Sequence, residues 1–190
     1  MPAPPWQAGW SKGASRHLSP NQGPRPEGCT IDLVVLHSIS LPPGHYGGPA
    51  VQAFFLNRLD PQAHPFFAGV AALQVSAHFF LRRDGSLLQF VDVERRAWHA
   101  GASTWRGRSN CNDHSVGIEL EGLEGRRFTA AQYRATAGLI RQLSQRWPIR
   151  DIAGHEHIAP GRKADPGPGW DWDRLRRRLR DLPLRWPTQP

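Results

Sequence analysis

Nine histidines stand in this chain, at positions 17, 37, 45, 64, 78, 99, 114, 155 and 157. An imidazole can carry a proton near neutral pH or bind a metal, but a lone histidine is more often structural. Each therefore needs a local argument. His37 directly follows the aliphatic run Ile31 to Leu36, which reads as a strand buried on both faces. It falls at or just past the end of that strand, where functional groups collect on a sheet. His155, Lys163 and Asp165 share a polar stretch, 154–168, crowded with glycine and proline. Such a stretch reads as a rigid irregular loop built to present side chains. Two histidines and one carboxylate suit Zn²⁺ and leave a fourth position for water, as catalytic zinc sites do. Spacing alone does not choose the set. There is no H-E-x-x-H helix, and His155 and His157 form an H-x-H pair. In an extended segment, residue i+2 returns to the same side, so His157 stays open as a rival ligand.

Glu119 lies in the segment 117–122, Gly-Ile-Glu-Leu-Glu-Gly. In a strand, Ile118 and Leu120 face one side and Glu119 and Glu121 the other. A carboxylate there is usually solvated. Beside a metal it could accept a proton from water.

The elements that must hold these groups follow from pattern. Pro49 opens a helix over Ala50 to Leu59. Ala77 to Arg82 and Ser86 to Asp92 flank Asp84-Gly85, the strongest short hairpin signal. Val116 to Leu120 reads as another strand. Thr129 and Gln132 have capping-box spacing, and Tyr133, Thr136, Ala137, Ile140, Leu143 and Trp147 recur at helical spacing until Pro148. Asp171 to Arg180 reads as a last helix, with Asp171 and Asp173 near the positive end of its dipole. Strands and helices alternate around a hairpin, so the expected fold is α/β, a single domain with a central mixed β-sheet flanked by helices. The expected boundaries are an irregular lead-in over 1–28, which holds six prolines, a domain over 29–182, and a tail over 183–190.

At 190 residues the chain suits one domain with a real core. Apolar residues at 39% and charged residues at 21% argue against a disordered tail or a membrane protein. No apolar run approaches the roughly 20 residues of a membrane span. The proline-rich start does not read as a signal peptide, so a cytoplasmic location is expected. Cys29 and Cys111 are then expected as free thiols. The net charge of +8 draws anions without naming them. Arg174, Arg176, Arg177, Arg178, Arg180 and Arg185 concentrate it near the end. Such a run could touch nucleic acid, but no nucleic-acid motif accompanies it, and it reads as a solvated helix face.

Seven ordered segments resemble the AmpD-type N-acetylmuramoyl-L-alanine amidases, of the amidase_2 group that also holds phage lysozyme-like amidases and peptidoglycan recognition proteins. They are 35–44 (VLHSISLPPG), 60–67 (DPQAHPFF), 75–78 (VSAH), 96–101 (RAWHAG), 111–113 (CND), 117–122 (GIELEG) and 154–168. They span nearly the whole chain in family order. The resemblance implies that the zinc ligands are His37, His155 and Asp165, the catalytic glutamate is Glu119, and the catalytic lysine is Lys163. It implies that the Trp98-His99 pair lies in the segment that lines the substrate groove, with Trp98 binding substrate, and that Arg162 contacts a substrate carboxylate there. Ser38, Glu156-His157 and Gly161 depart from the family pattern, which bears on substrate contacts rather than on the metal. The implied activity is zinc-dependent hydrolysis of the lactyl amide between (1,6-anhydro)muramic acid and L-alanine in peptidoglycan recycling. One Zn²⁺, an anhydromuropeptide substrate, no nucleic acid or membrane partner, and a monomeric state are expected. The alternatives are a peptidoglycan-binding module that has lost its ligands, against which all three positions are intact, and a nucleic-acid binder, which would show steep salt dependence.

Overall fold

In the computed structural model, which describes residues 5–187, the aliphatic runs form one sheet. Its strands are β1 (Ser15–Arg16), β2 (Leu33–Ile39), β3 (Phe79–Leu81), β4 (Leu87–Gln89), β5 (Ser115–Glu121) and β6 (Asp151–Gly154). They lie in the order β6-β2-β5-β3-β4-β1. Strands β6, β2, β5 and β3 run parallel, and β4 returns antiparallel to β3. The sheet is therefore mixed, as expected. The β3–β4 hairpin turns at Asp84-Gly85, where Gly85 takes a positive φ of 93° that a side chain would resist.

Among the described residues, five α-helices accompany the sheet: α1 (Ala50–Phe55), α2 (Pro65–Ala68), α3 (Ala130–Ser144), α4 (His155–Ile158) and α5 (Trp172–Arg178). Helix α1 stops four residues before the pattern ends, with Leu56 at its C-cap. Helix α3 opens on a complete capping box: Thr129 accepts from the Gln132 amide, and Gln132 accepts from the Thr129 amide. In α5, Asp171 caps the first turn by accepting from the Arg174 amide.

Period-two alternation divides the central strands between two faces. Val34, Leu36, Ile118 and Leu120 pack with Tyr133, Ala137 and Ile140 of α3 in the main core. Leu33 and Val35 pack on the other side with Ala100, Cys111, Ala153 and Ile158. His37 and Glu119 belong to this second face. They are direct register partners on adjacent parallel strands, which brings their side chains together.

Trp6 and Arg25, in the proline-rich stretch, are part of the fold. Trp6 is buried edge-on to Trp147, ring centroids 4.8 Å apart. The Arg25 guanidinium donates to the carbonyls of Val93, Asn112, Asp113 and Ser115. At the other end, Arg185 pairs with the buried Asp151 of β6, and Leu184 and Trp186 pack against the main core. Cys29 and Cys111 are free. Among the described residues, no helix is long and apolar enough to cross a membrane.

Candidate metal centre

Strand β2 carries His37 into the sheet's second face, two residues before its end at Ile39, so the residue sits within the strand rather than past it. Strand β6 lies beside β2 and stops at Gly154, so His155, the next residue, emerges beside His37. His155 opens the helical turn α4 instead of a loop. A side chain at Gly154 would meet His157 and Pro166 at 2.9 Å, so glycine keeps this corner tight. Asp165 returns from the following segment, its backbone carbonyl accepting from the Glu156 amide.

Three atoms converge. His37 Nδ1 lies 2.9 Å from His155 Nδ1 and 3.2 Å from Asp165 Oδ2, and His155 Nδ1 lies 3.1 Å from Asp165 Oδ2. All three residues are buried, and they form the one His/Cys/Asp/Glu cluster of metal-binding geometry among the described residues. The edge of a tetrahedron with zinc–ligand bonds of ~2.0–2.1 Å is ~3.3–3.4 Å, close to these separations.

The proton inventory supports the same reading. His155 Nε2 faces the Ala100 carbonyl at 3.1 Å, and a carbonyl only accepts. The ring proton of neutral His155 is thereby drawn to Nε2, leaving the Nδ1 lone pair aimed at the triangle. Burial holds His37 down to about 4, so at neutral pH it is uncharged. Asp165 is held well below the usual carboxylate range, because the two histidine contacts outweigh its burial. A carboxylate and two imidazole nitrogens meeting at hydrogen-bond distance, without protons enough to bridge them all, form a cradle for a cation.

Glu119 stands beside this triangle. Its Oε2 is enclosed and has no hydrogen-bond partner among the described residues. Burial and the Asp165 charge push its carboxyl well above the ordinary value, and Lys163 pulls it partly back. Lys163 is exposed at the rim of a cleft of about 370 Å³. That cleft is walled by His99, Glu119, His155, Lys163 and Asp165 on its polar side. Leu41, Phe54, Phe66, Val70 and Leu73 supply an apolar side.

Three sequence candidates stand elsewhere. His157 turns away: in a helical turn, residues two apart point in different directions, and its Nδ1 accepts from the Gly154 amide at 3.0 Å. Arg162 donates from Nη2 to the carbonyls of Ala100 and Ala102, at 2.7 and 2.6 Å. It thus grips the same carbonyl that orients His155. Trp98 is half-buried beside Gly23 and Arg96, and neither it nor Arg162 lines the cleft.

Two residues of the site, Asn112 and Ser115, had no role in the sequence reading, and His99 had only a place in the groove-lining segment. His99 Nδ1 lies 2.9 Å from His37 Nε2, and His99 Nε2 lies 3.2 Å from Ser115 Oγ. Asn112 Oδ1 accepts from the amides of both His99 and Ala100, at 3.0 and 2.8 Å. These contacts join residues 12 to 62 positions apart, so no local pattern marks them. The only sequence signal is that 96–101 and 111–113 both belong to the ordered segments.

The chain and its fold match those of known proteins. The family model Amidase_2, N-acetylmuramoyl-L-alanine amidase, matches residues 27–168. The chain is 51% identical over 172 residues to the 1,6-anhydro-N-acetylmuramyl-L-alanine amidase AmpD of Escherichia coli K12, covering 90% of this chain and 94% of that one. A crystal structure of a Se-Met AmpD derivative superposes with a TM-score of 0.88 at 49% identity, covering 90% of this chain and 97% of that one. AmpDh3 of Pseudomonas aeruginosa, solved in complex with anhydromuramic pentapeptide, superposes at 0.58 with 28% identity, over 80% of this chain and 61% of that one. A matching family model over most of the chain and near-full-length relatives agree with the buried His37, His155 and Asp165 cluster: the chain belongs to the N-acetylmuramoyl-L-alanine amidase family.

Proposed function

We propose that the protein hydrolyses the lactyl amide between 1,6-anhydromuramic acid and L-alanine in muropeptides released during peptidoglycan recycling, in the cytoplasm. The observation that carries this reading is the convergence of His37, His155 and Asp165 next to a partnerless buried carboxylate, Glu119, at the head of a cleft. The near-full-length likeness to AmpD and the anhydromuramic peptide bound to AmpDh3 support the substrate class.

His37, His155 and Asp165 would hold one Zn²⁺, which when bound polarises the amide carbonyl and makes water a better nucleophile. Glu119 takes a proton from the attacking water. Its enclosure makes it a stronger base than a solvated carboxylate, since burial disfavours the charged form. The same carboxyl then returns the proton to the departing nitrogen. The balance is one water consumed, a lactyl carboxylate freed on the sugar and an amino group freed on L-alanine. Lys163, at the rim beside Glu119, supplies positive charge for the oxyanion that develops on the carbonyl oxygen. Arg162 holds Ala100 and Ala102, and through the Ala100 carbonyl it steadies His155. The apolar wall opposite excludes water from one side of the bound substrate.

The test is mass spectrometry of an anhydromuramoyl-peptide incubated with the protein. The expected products are the free anhydromuramic sugar acid and a peptide with a new amino terminus on L-alanine. Cleavage inside the peptide, or intact substrate after long incubation with zinc present, would overturn the assignment.

A further inference from the structure

His99 touches none of the three convergent atoms, yet among the described residues it makes the one polar contact to the outer nitrogen of His37, 2.9 Å from Nδ1 of His99 to Nε2 of His37. The two rings meet edge to face, 83° apart. If His37 offers its Nδ1 lone pair to a cation, its ring proton sits on Nε2, and that proton needs an acceptor. A neutral imidazole has a single lone pair. His99 can accept at Nδ1 only by carrying its own proton on Nε2, which then points at Ser115 Oγ, 3.2 Å away. A hydroxyl can accept there. The chain of protons runs from His37 to His99 to Ser115.

The opposite direction is equally good hydrogen bonding: the Ser115 hydroxyl donates to His99 Nε2, and His99 donates to His37 Nε2. It would put the His37 proton on Nδ1, between His155 and Asp165, where it blocks a cation. The state of His99 therefore decides whether His37 can ligate.

The fold holds His99 for this contact. Its amide and that of Ala100 are pinned by Asn112. Its ring lies on Gly117 of β5, where any Cβ would come within 2.5 Å of the ring's Cγ. Ser115, two residues along the same strand, presents its hydroxyl on the same side.

We propose that His99 is a positioning residue that selects the metal-ligating tautomer of His37, with Ser115 as the acceptor at its far end. The proposal rests on the metal reading given above. In the zinc-loaded protein, long-range ¹H–¹⁵N correlation spectra should show both His99 and His37 protonated on Nε2 and without a proton on Nδ1. His99 protonated on Nδ1 in that state would overturn the proposal. Two variants separate the hydrogen bond from mere packing, read by zinc competition against a chromophoric chelator with backbone spectra as the check on folding. His99→Phe keeps a ring but no acceptor and should weaken zinc 10–100-fold, the usual range for losing such a partner. His99→Asn fills less space but restores an acceptor near Nδ1, and should recover most of that loss. If phenylalanine binds zinc as well as asparagine or better, the role is packing and the proposal fails. If wild type itself takes up no zinc, the metal reading fails instead, so the two failures are distinct.

Discussion

Replacing Glu119 by glutamine should make the protein more stable and nearly inactive at once. The carboxyl Oε2 is enclosed without a partner, and burial together with Asp165 raises its proton affinity well above the ordinary carboxylate value. A raised folded-state affinity means that stability is lost as pH rises through that value, because the unfolded chain ionises freely and the folded one does not. At pH 8 the native protein carries this cost. An enclosed polar group without a partner costs ~1–3 kcal/mol. The neutral amide of glutamine, nearly the same shape, still leaves a polar atom without a partner but removes the charge, so stability at pH 8 rises by the excess that the charge adds to that cost. The activity moves the other way. A positioned general base contributes ~10²–10⁴ in rate, ~2.7–5.4 kcal/mol of barrier. The assays are urea denaturation of the chelator-treated protein at pH 8 and initial rates of the zinc-loaded protein on an anhydromuropeptide. A variant that is both less stable and still active would refute the reasoning, since Glu119 would then be an ordinary structural carboxylate.

Lys163→Ala should bind zinc as wild type does and turn over ~10²–10³-fold more slowly, the usual effect of removing one oxyanion stabiliser; near-wild-type turnover would remove its role. Gly117→Ala drives a methyl to within 2.5 Å of the His99 ring, so the ring must move by roughly 1 Å to reach ordinary contact, at ~1–3 kcal/mol. Zinc affinity should fall while the fold survives, and unchanged affinity would show that His99 has room the structure denies. Stability of the metal-free protein should drop below pH 6.5, because the unfolded chain protonates histidines that the folded one keeps neutral: His37 to about 4, His78 to about 3, and His99 well below its ordinary value. Glu119 opposes one of these three, as the native state gains stability when that carboxyl protonates. Among these four groups the net is two protons, up to ~3 kcal/mol per pH unit, and the partly buried His114 and His157 act in the same direction while Glu156 acts against it. A urea midpoint that is flat between pH 6.5 and 4.5 would contradict the burial of these rings.

The strands that carry the site were legible because their sequences are extreme. Residues 31–36 are almost wholly aliphatic, and alternation in 117–121 placed Glu119 opposite Ile118 and Leu120, as found. Thr129 and Gln132 marked a helix start that the structure reproduces to the residue. What escaped was whatever depends on distant partners. Strand β6 has four residues and ends on glycine, so no periodicity can build up in it. His155 read as a loop residue because the prolines and glycines after it mask the single helical turn it opens. The lead-in prolines likewise hid Trp6 and Arg25, which are held by residues far along the chain. His99 and Ser115 are ordinary residues in sequence, and only the pairing of β5 with β2 places them behind His37.

The central claim is that a metal held by His37, His155 and Asp165 is required to cleave the lactyl amide. Stripping the protein with a chelator, then adding zinc back one equivalent at a time, tests it directly. The rate of release of L-alanyl peptide from an anhydromuropeptide should fall to background on stripping and return in proportion to zinc, saturating at one ion per chain. Full activity in the stripped protein, or cleavage restored equally in an Asp165→Ala variant, would contradict it.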